Sequence, residues 1–419
     1  MGLFHIKDVA AGDRTFIRDH TLFVNLKELK QIVAEDQRFS KVETEIVRPG
    51  ESVRIINVLD VIEPRVKVGG EGAFPGWIGG MGIAGTGKTY ALKGVGVMEV
   101  GIKKYFSGAI LDMKGPGSKV ANYSELHQLI LITDPMPGIS EVEYSHALKM
   151  AGLKAATYLA KASISLQPDE TRVYEIGDSI RASDRPGLPR IAYVYIAECH
   201  EILKEDFVYG DNPHHYFPTV FHPNEFLDGA IVQGAYKYNP GLRIFTYSLQ
   251  NNPVIEGLYK RHDKDLIFVG VVMANANLGL ADKKRSAVMV AKLVKFTLGA
   301  DGVIITKEGG GHPDIDLMEC CEQCELLGVK SCLINGEMLA PNGTGSAMVA
   351  FSKFADCVIS VGNIDELVED LPSVERVIGG QTMGTDVQGP FDGPMKLPIR
   401  MFPNAISLVG LTRITTEEF

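Results

Sequence analysis

The chain has 419 residues and a formal net charge of −10. This length predicts two or three domains, each with its own hydrophobic core. The acidic balance argues against nucleic-acid binding, because such proteins concentrate Lys and Arg in a basic patch. No run approaches the roughly 18 apolar residues of a membrane helix, and the charged N-terminus is unlike a signal peptide. We therefore expect a cytoplasmic protein without membrane contacts.

Residues 1–140 are predicted to form a β-rich N-terminal domain. Short β-branched segments such as 52–58 and 109–113 alternate with Gly and Pro clusters. Such spacing is typical of a barrel or sandwich of short strands.

Helical and strand-like segments alternate after this domain. Residues 141–255 are assigned to a first α/β region, with a helix predicted over 143–161 and strands over 191–197 and 229–233. Residues 256–419 are assigned to a second, doubly wound region. Its predicted strands are 266–273, 302–306, 330–335 and 356–361, and its helices are 282–298, 313–327 and one before Asp356. The predicted fold class is α/β, with the β-rich domain followed by two mainly parallel α/β regions and a cleft between them.

Gly82–Thr89 matches the phosphate-loop pattern G-x-x-x-x-G-K-[ST]. A working phosphate loop follows a buried strand and opens a helix, whose N-terminus helps to hold the phosphates. Here the preceding residues are glycine-rich, and the following ones alternate like a strand. We favour a glycine-rich hairpin and keep nucleotide binding as the less favoured alternative.

The turn after the predicted strand 302–306 is the main candidate site. It contains Glu308 and His312, which we assign to proton transfer, around three glycines that let a ligand approach the backbone: Gly309, Gly310 and Gly311. The helix that begins near Pro313 offers free amides to an anion such as a carboxylate. The alternative is a tight turn with a surface histidine. Asn275 and Asn277 follow another strand and either bind the substrate or satisfy a turn.

Two further groups of side chains are interpreted as structural. Cys320, Cys321 and Cys324 lie on one predicted helix, where core packing is favoured over redox chemistry or zinc binding. His214, His215 and His222 lie in a Pro-rich loop at spacings that match no metal site we can defend. We therefore predict no metal site.

Several segments together resemble a known family. They are Arg48–Ile55, Asp60–Val68, Gly152–Leu159, Asp228–Val232, Gln250–Glu256, Ala281–Ser286 and Ala300–Ile305. In their residues and in their order along the chain, these segments resemble the proprotein subunit of component B of the glycine/sarcosine/betaine reductases. The D-proline reductase proprotein is a more distant relative. The resemblance implies a precursor that cleaves itself at a cysteine. That cysteine becomes a pyruvoyl group, which forms a Schiff base with the substrate amine. A separate selenocysteine or cysteine subunit then cleaves the C–N bond reductively.

The sequence departs from this pattern where the cysteine is expected. Between Gly229 and Gln250 there is no cysteine, and Thr246 and Ser248 are the Ser/Thr hydroxyls of that interval. We therefore expect an uncleaved chain without a pyruvoyl group or other cofactor. Asn251 and Asn252, in one of the family segments, are assigned to substrate binding.

The favoured hypothesis is an enzyme subunit that binds a small amine or carboxylate substrate. It would support reductive C–N or C–S cleavage together with a selenocysteine- or cysteine-containing reductase subunit, in a homo- or hetero-oligomer. The alternative is a non-catalytic scaffold or substrate-binding subunit of such a complex. A nucleotide-dependent enzyme that uses Gly82–Thr89 is the third hypothesis.

Overall fold

The fold is that of a computed structural model. The structure describes residues 1–69, 73–101, 108–176, 187–199, 207–234, 236, 241, 243–340, 342, 344–364, 367–380 and 390–410. None of the described helices is both long enough and apolar enough to span a bilayer.

The N-terminal part consists mainly of strands. In chain order they are β1 (Gly2–His5), β2 (Asp8–Ala11), β3 (Phe16–Arg18), β4 (Thr21–Val24), β5 (Phe39–Val47), β6 (Val53–Ile62), β7 (Arg65–Lys67), β8 (Thr89–Lys93), β9 (Val95–Gly101), β10 (Ala109–Asp112) and β11 (His127–Pro135). The helices are α1 (Leu26–Ala34) and α2 (Pro116–Val120), with 3₁₀ turns at Met81–Ile83 and Asn122–Glu125.

Helices become more frequent from residue 141 onwards. The helices are α3 (Glu141–Ala160), α4 (Pro223–Leu227), α5 (Thr246–Gln250), α6 (Pro253–Arg261), α7 (Leu280–Lys292) and α8 (Pro313–Leu326). The strands are β12 (Glu170–Thr171), β13 (Arg190–Ala197), β14 (Thr219–Phe221), β15 (Ile267–Asn275), β16 (Gly302–Lys307), β17 (Lys330–Glu337), β18 (Val358–Asn363), β19 (Leu367–Leu371), β20 (Arg376–Ile378) and β21 (Met395–Pro398). A π-helical turn, Leu293–Thr297, extends α7, and 3₁₀ turns lie at Lys161–Ser163 and Ile399–Met401.

The largest N-terminal sheet has the strand order β10-β6-β9-β11-β5, and β20 from the C-terminal part adds to β6. Smaller sheets have the orders β12-β1-β8-β7 and β2-β4-β3, and β19 pairs with β21. All ten residues of β6 are buried, because the strand is central and covered on both faces. Helix α3 packs on β9 and β7, and its start is fixed by a capping box between Ser140 and Glu143.

The α/β part is built on one sheet with the order β14-β15-β13-β16-β17-β18. Its strands are parallel except for the edge strand β14. Side chains of β13 alternate between two cores. Ala192, Val194 and Ile196 pack with α7 and α8, whereas Tyr193 and Tyr195 face α6 and the rest of the chain. The middle of this sheet is therefore buried on both faces. Helices α7 and α8 cover one face, and α6 with the rest of the chain covers the other.

The structure confirms the α/β fold class, with strands dominating the N-terminal part and α/β elements following. The predicted helices over 143–161 and 313–327 and the four strands predicted after residue 265 are all present, with small shifts at their ends. The division of the chain at residue 255 remains a prediction, and strands from both sides of it lie in the α/β sheet.

Two local predictions were wrong. The predicted strand 229–233 is irregular, and only Ile231 forms an isolated bridge, with Val208. Its apolar run is buried by tertiary contacts instead of by a sheet. The predicted helix before Asp356 is absent from the described residues between 338 and 355, where Pro, Asn and Gly residues favour turns.

Candidate functional site

The carboxyl ends of three parallel strands meet at one edge of the α/β sheet. Ala197 of β13 lies opposite Asn275 of β15, and Ile196 lies opposite Lys307 of β16. The residues that follow these strands therefore converge, as the ligand-binding loops of open α/β sheets do. Glu198 and Glu308 are among them.

The Glu308 carboxyl group is almost completely buried. One oxygen accepts a hydrogen bond from the Tyr195 hydroxyl at 2.6 Å, and the other accepts from the Glu198 backbone amide at 2.8 Å. Burial raises the pKa of Glu308 to about 7, and the negative charge of Glu198 acts in the same direction. A carboxyl group with a pKa in this range can both accept and release a proton near neutral pH.

His312 connects this carboxyl region to the surface. Its Nε2 lies 3.2 Å from Oε1 of Glu198, and its Nδ1 lies 3.1 Å from Nζ of Lys283. Because an ammonium group only donates, Nδ1 accepts, and a neutral imidazole would carry its proton on Nε2, directed at Glu198. Lys283 also forms a buried ion pair with Asp316. The His312 side chain is 34% exposed, so solvent or a ligand reaches it.

The three glycines of the turn differ in what they contribute. Gly309 and Gly311 have positive φ angles of 73° and 80°, and Gly310 is not among the residues with positive φ. A Cβ atom at Gly309 would overlap the Oε2 atom of Glu198, whereas a Cβ at Gly311 would meet nothing within 4 Å. Gly309 is therefore required for the close approach of Glu198, and Gly311 for backbone conformation.

The N-terminus of α8 already has acidic side chains next to it. Asp314 and Asp316 lie in its first turn, and Lys307 pairs with Asp314 at 2.9 Å. The amide of Asp314 donates to Gly311 at 3.0 Å. A substrate carboxylate at this helix end would compete with these groups for the positive end of the helix dipole.

Asn275 and Asn277 line a cavity of about 160 Å³, whose lining includes no residue of the Glu308–His312 turn. His214, His215 and Arg285 are also in its lining. The Asn277 backbone amide donates to Asp316 at 3.3 Å, and Asp316 pairs with Lys283, which also contacts His312. Asn277 is therefore linked to His312 indirectly, through Asp316 and Lys283.

Asn251 and Asn252 have contacts of a different kind. The Asn251 side-chain oxygen accepts from Arg65 at 3.0 Å and from Lys93 at 2.6 Å. The Asn252 side chain caps the first amides of α6 and contacts the Tyr193 hydroxyl at 3.3 Å. These contacts hold segments of the chain together, and neither residue lines the cavity beside Asn277.

A second polar cluster lies inside the N-terminal part and was not predicted. We call Asp60, Glu99, Lys149, Tyr236 and Thr246 the buried ion cluster, since each is at most 2% exposed. Lys149 contacts both carboxylates, and the Tyr236 hydroxyl donates to Glu99. The Thr246 amide and hydroxyl donate to the two Asp60 oxygens at 2.8 and 2.5 Å. Burial raises the pKa of Glu99 to about 7, and the charge of Asp60 adds to this effect.

The sequence carried a signal for this cluster. Asp60 and Glu99 interrupt otherwise apolar strands, and Lys149 interrupts the apolar face of α3. Charged residues are almost never fully buried unless they are paired, so charges within buried strands indicate partners. Gln233 adds to the cluster, because its amide donates to the Thr246 hydroxyl at 2.9 Å. Its side-chain amide is buried and has no hydrogen-bond partner in the described part of the chain.

Comparison with known proteins assigns the chain to a family. A family model of glycine/sarcosine/betaine reductase component B subunits matches residues 1–413. The chain belongs to this family. It is 42% identical over 381 residues to the sarcosine reductase complex component B subunit alpha of Peptoclostridium acidaminophilum, a match that covers 90% of this chain and 88% of the relative.

Two further relatives have related names. The chain is 37% identical to the glycine reductase complex component B subunits alpha and beta of Acetoanaerobium sticklandii, over 100% of this chain and 99% of the relative. It is 35% identical to the betaine reductase complex component B subunit alpha of Peptoclostridium acidaminophilum, over 90% and 87%. No solved structure matches the chain significantly.

The interval in which this family is expected to carry the pyruvoyl-forming cysteine lies against the buried ion cluster. Both Ser/Thr hydroxyls of the interval have partners: Thr246 binds Asp60, and Ser248 lies 2.8 Å from the Tyr123 hydroxyl and 3.0 Å from Asn404 Oδ1. The interval between Gly229 and Gln250 contains no cysteine, the residue that the family resemblance implies as the precursor of the pyruvoyl group.

The phosphate-loop pattern at Gly82–Thr89 leads into strand β8 and not into a helix, as the sequence context predicted. The anion position of this loop is taken by the Asp228 carboxylate. It accepts from the Gly85 amide at 2.8 Å and the Thr89 hydroxyl at 2.7 Å, and pairs with Lys67 at 2.5 Å. The loop therefore binds an internal carboxylate where a phosphate loop would bind phosphate.

The cysteines of α8 and His222 have structural positions, whereas His214 and His215 line the cavity described above. Cys320, Cys321 and Cys324 are buried in the core between α8 and the sheet, and burial raises the pKa of Cys324 to about 12. His222 caps α4 by accepting from the Asn224 amide at 3.2 Å. The described residues contain no group of three or more His, Cys, Asp or Glu side chains arranged for a metal ion.

Proposed function

We propose that this chain is an uncleaved, non-pyruvoyl component B homologue that binds a small amine or carboxylate substrate. In this proposal it supports reductive C–N or C–S cleavage together with a thiol- or selenol-bearing subunit. The observation that carries it is the convergence of two groups on Glu198 at the carboxyl edge of the parallel sheet: the buried Glu308 accepts from the Glu198 backbone amide, and the half-exposed His312 lies 3.2 Å from the Glu198 carboxylate.

The cavity beside Asn277 supports a small substrate. Its volume of about 160 Å³ matches a molecule of a few heavy atoms. Arg285 in its lining provides a guanidinium group, the side chain best suited to a carboxylate. The Asp282 carboxylate, which pairs with Arg285 in the same lining, would attract an amine. Small amino acids and their N-methyl derivatives combine both groups.

The acid–base chain has a defined role in such a reaction. When the C–N bond breaks, the nitrogen leaves with the bonding electrons and needs a proton, while the partner's thiol or selenol supplies two electrons to the carbon fragment. His312 would donate the proton, and solvent, which reaches its 34% exposed side chain, would replace it. The chain itself thus binds, orients and protonates, and the partner reduces.

The absence of processing follows from the chemistry of the interval between Gly229 and Gln250. Self-cleavage requires a nucleophile on the residue after the scissile bond, and the cysteine thiol is missing. Thr246 donates its hydroxyl proton to a carboxylate that is itself paired with Lys149, so this carboxylate is partly neutralised as a base.

A reconstituted assay tests this proposal. The purified chain is combined with a reductase-family thiol or selenol subunit, and ammonia or methylamine release is measured from small amino acids. We expect turnover only with both proteins present. His312→Ala should lower kcat at least tenfold while the KM changes less, and His20→Ala, at a surface histidine 42% exposed, should have no effect.

The same assay distinguishes the catalytic hypothesis from the scaffold hypothesis. A scaffold would increase the activity of the partner without depending on His312 or Glu308, and a titration calorimetry experiment would detect no substrate binding to the isolated chain. Equal activity of wild type, His312→Ala and Glu308→Gln in the complex would contradict the catalytic role proposed above.

A further inference from the structure

Two cysteines outside the predicted site lie in contact at the exposed end of the α/β sheet. Cys332 is on β17, and Cys357 directly precedes β18. Their sulfur atoms are 3.0 Å apart, and both side chains are free thiols. Cys357 is exposed and Cys332 is half-buried, unlike the three cysteines of α8, which are enclosed in the core.

The backbone holds this pair in register. Leu333 lies opposite Val358 in the parallel pair of β17 and β18, and the Leu333 amide donates to the Cys357 carbonyl at 2.9 Å. Adjacent strands are about 4.8 Å apart, which lies within the range of Cα separations that a disulfide spans. A covalent bond between the two sulfurs therefore needs side-chain rotation and no movement of the strands.

We propose that Cys332 and Cys357 form a thiol–disulfide exchange site that reacts with small or protein-bound disulfides. This proposal is independent of the function proposed above. In the first step the Cys357 sulfur attacks one sulfur of the external disulfide, and the other sulfur leaves as a thiol. In the second step the Cys332 sulfur attacks Cys357 and displaces the second external thiol. Two S–H bonds of the chain become one S–S bond, and one external disulfide is reduced to two thiols.

The environment of the two sulfurs sets the order of these steps. Burial raises the pKa of Cys332 to about 12, and its contact with Cys357 acts in the same direction. Cys332 thus rarely forms the thiolate that attacks a disulfide. Cys357 is the accessible sulfur and reacts first, and Cys332 resolves the mixed disulfide because it is held in contact with it.

Oxidised glutathione is a suitable probe. The reduced full-length chain is incubated with a moderate excess, quenched with acid, alkylated with N-ethylmaleimide after unfolding, and mapped by peptide mass spectrometry. We expect two of the six cysteines to lose reactivity towards the alkylating agent, and a cross-linked peptide to join Cys332 and Cys357. The chain should lose two hydrogens and retain no glutathione.

Two variants make the test specific. Cys332→Ser should hold one glutathione on Cys357 as a lasting mixed disulfide, since the resolving sulfur is gone. Cys357→Ser should react at least tenfold more slowly. Wild-type chain that accumulates glutathione on Cys357 to the same extent as Cys332→Ser, or that yields no cross-linked peptide, would overturn the proposal. Circular dichroism of each variant checks that the fold is unchanged.

Discussion

Replacing Glu308 with Gln should change how stability depends on pH. Burial raises the pKa of this carboxyl group from 4.5 to about 7 in the folded chain. Since each pKa unit is worth ~1.4 kcal/mol, ionising Glu308 costs the folded state about 3 kcal/mol. The unfolded state releases its proton first, so the free energy of unfolding falls as the pH rises from about 4.5 to about 7 and stays lower above that.

The side-chain amide introduced by Glu308→Gln cannot ionise, so the variant does not lose this part of its free energy of unfolding as the pH rises. The free energy of unfolding of the variant minus that of wild type should increase by roughly 2–3 kcal/mol between pH 5 and pH 8. Equilibrium urea unfolding at constant ionic strength measures it, with exposed Glu35→Gln as a control that shows no such change. Glu99 titrates in the same range, but it is present in both proteins and cancels. A difference that is the same at both pH values would refute the reasoning.

Four further substitutions test separate parts of the structure. Gly311→Ala should cost roughly 1–2 kcal/mol in urea unfolding for its positive φ alone, and Gly309→Ala should cost a further ~1–3 kcal/mol because its methyl group displaces a buried carboxylate. Lys88→Ala should change stability by less than about 1 kcal/mol and leave turnover intact, because within the described part of the chain this exposed side chain contributes a cation–π contact with Tyr90 and no ion pair. Lys149→Met should destabilise by roughly 3–5 kcal/mol, since it leaves two carboxylates buried without their cation.

For each of these substitutions, one outcome would contradict the reasoning behind the prediction. Equal costs at the two glycines would mean that Glu198 moves aside freely. A large loss of turnover in Lys88→Ala at normal stability would mean that the loop binds a phosphate after all. A neutral Lys149→Met, compared with Lys154→Met on the outside of the same helix, would mean that the buried carboxylates are protonated in the folded chain.

The sequence predicted the regular parts of the fold and missed what depends on tertiary contacts. The strands after residue 265 and the helices around 282–298 and 313–327 have strong periodicity and were placed within a few residues, whereas the helix predicted before Asp356 was wrong. The apolar run at Gly229–Gln233 looks like a strand locally, but it is buried between other elements and pairs with no neighbouring strand. Local pattern does not distinguish these two ways of burying an apolar segment.

The candidate site was only partly predictable for a similar reason. The turn at Glu308–His312 was found because strand, glycines and helix follow each other in the chain. Glu198, the residue that joins Glu308 to His312, is over a hundred positions away and has no local signature. The buried ion cluster joins segments from five parts of the chain. The sequence could therefore indicate that its charged members are unusual, but it could not show that they meet in the fold.

Intact mass spectrometry of the purified full-length protein tests the central claim most directly. We expect one species of 45.6 kDa that corresponds to all 419 residues, because the interval between Gly229 and Gln250 lacks the cysteine for self-cleavage. Two fragments that divide the chain within this interval, the second with a blocked N-terminus, would contradict the claim that this family member stays whole and works without a pyruvoyl group.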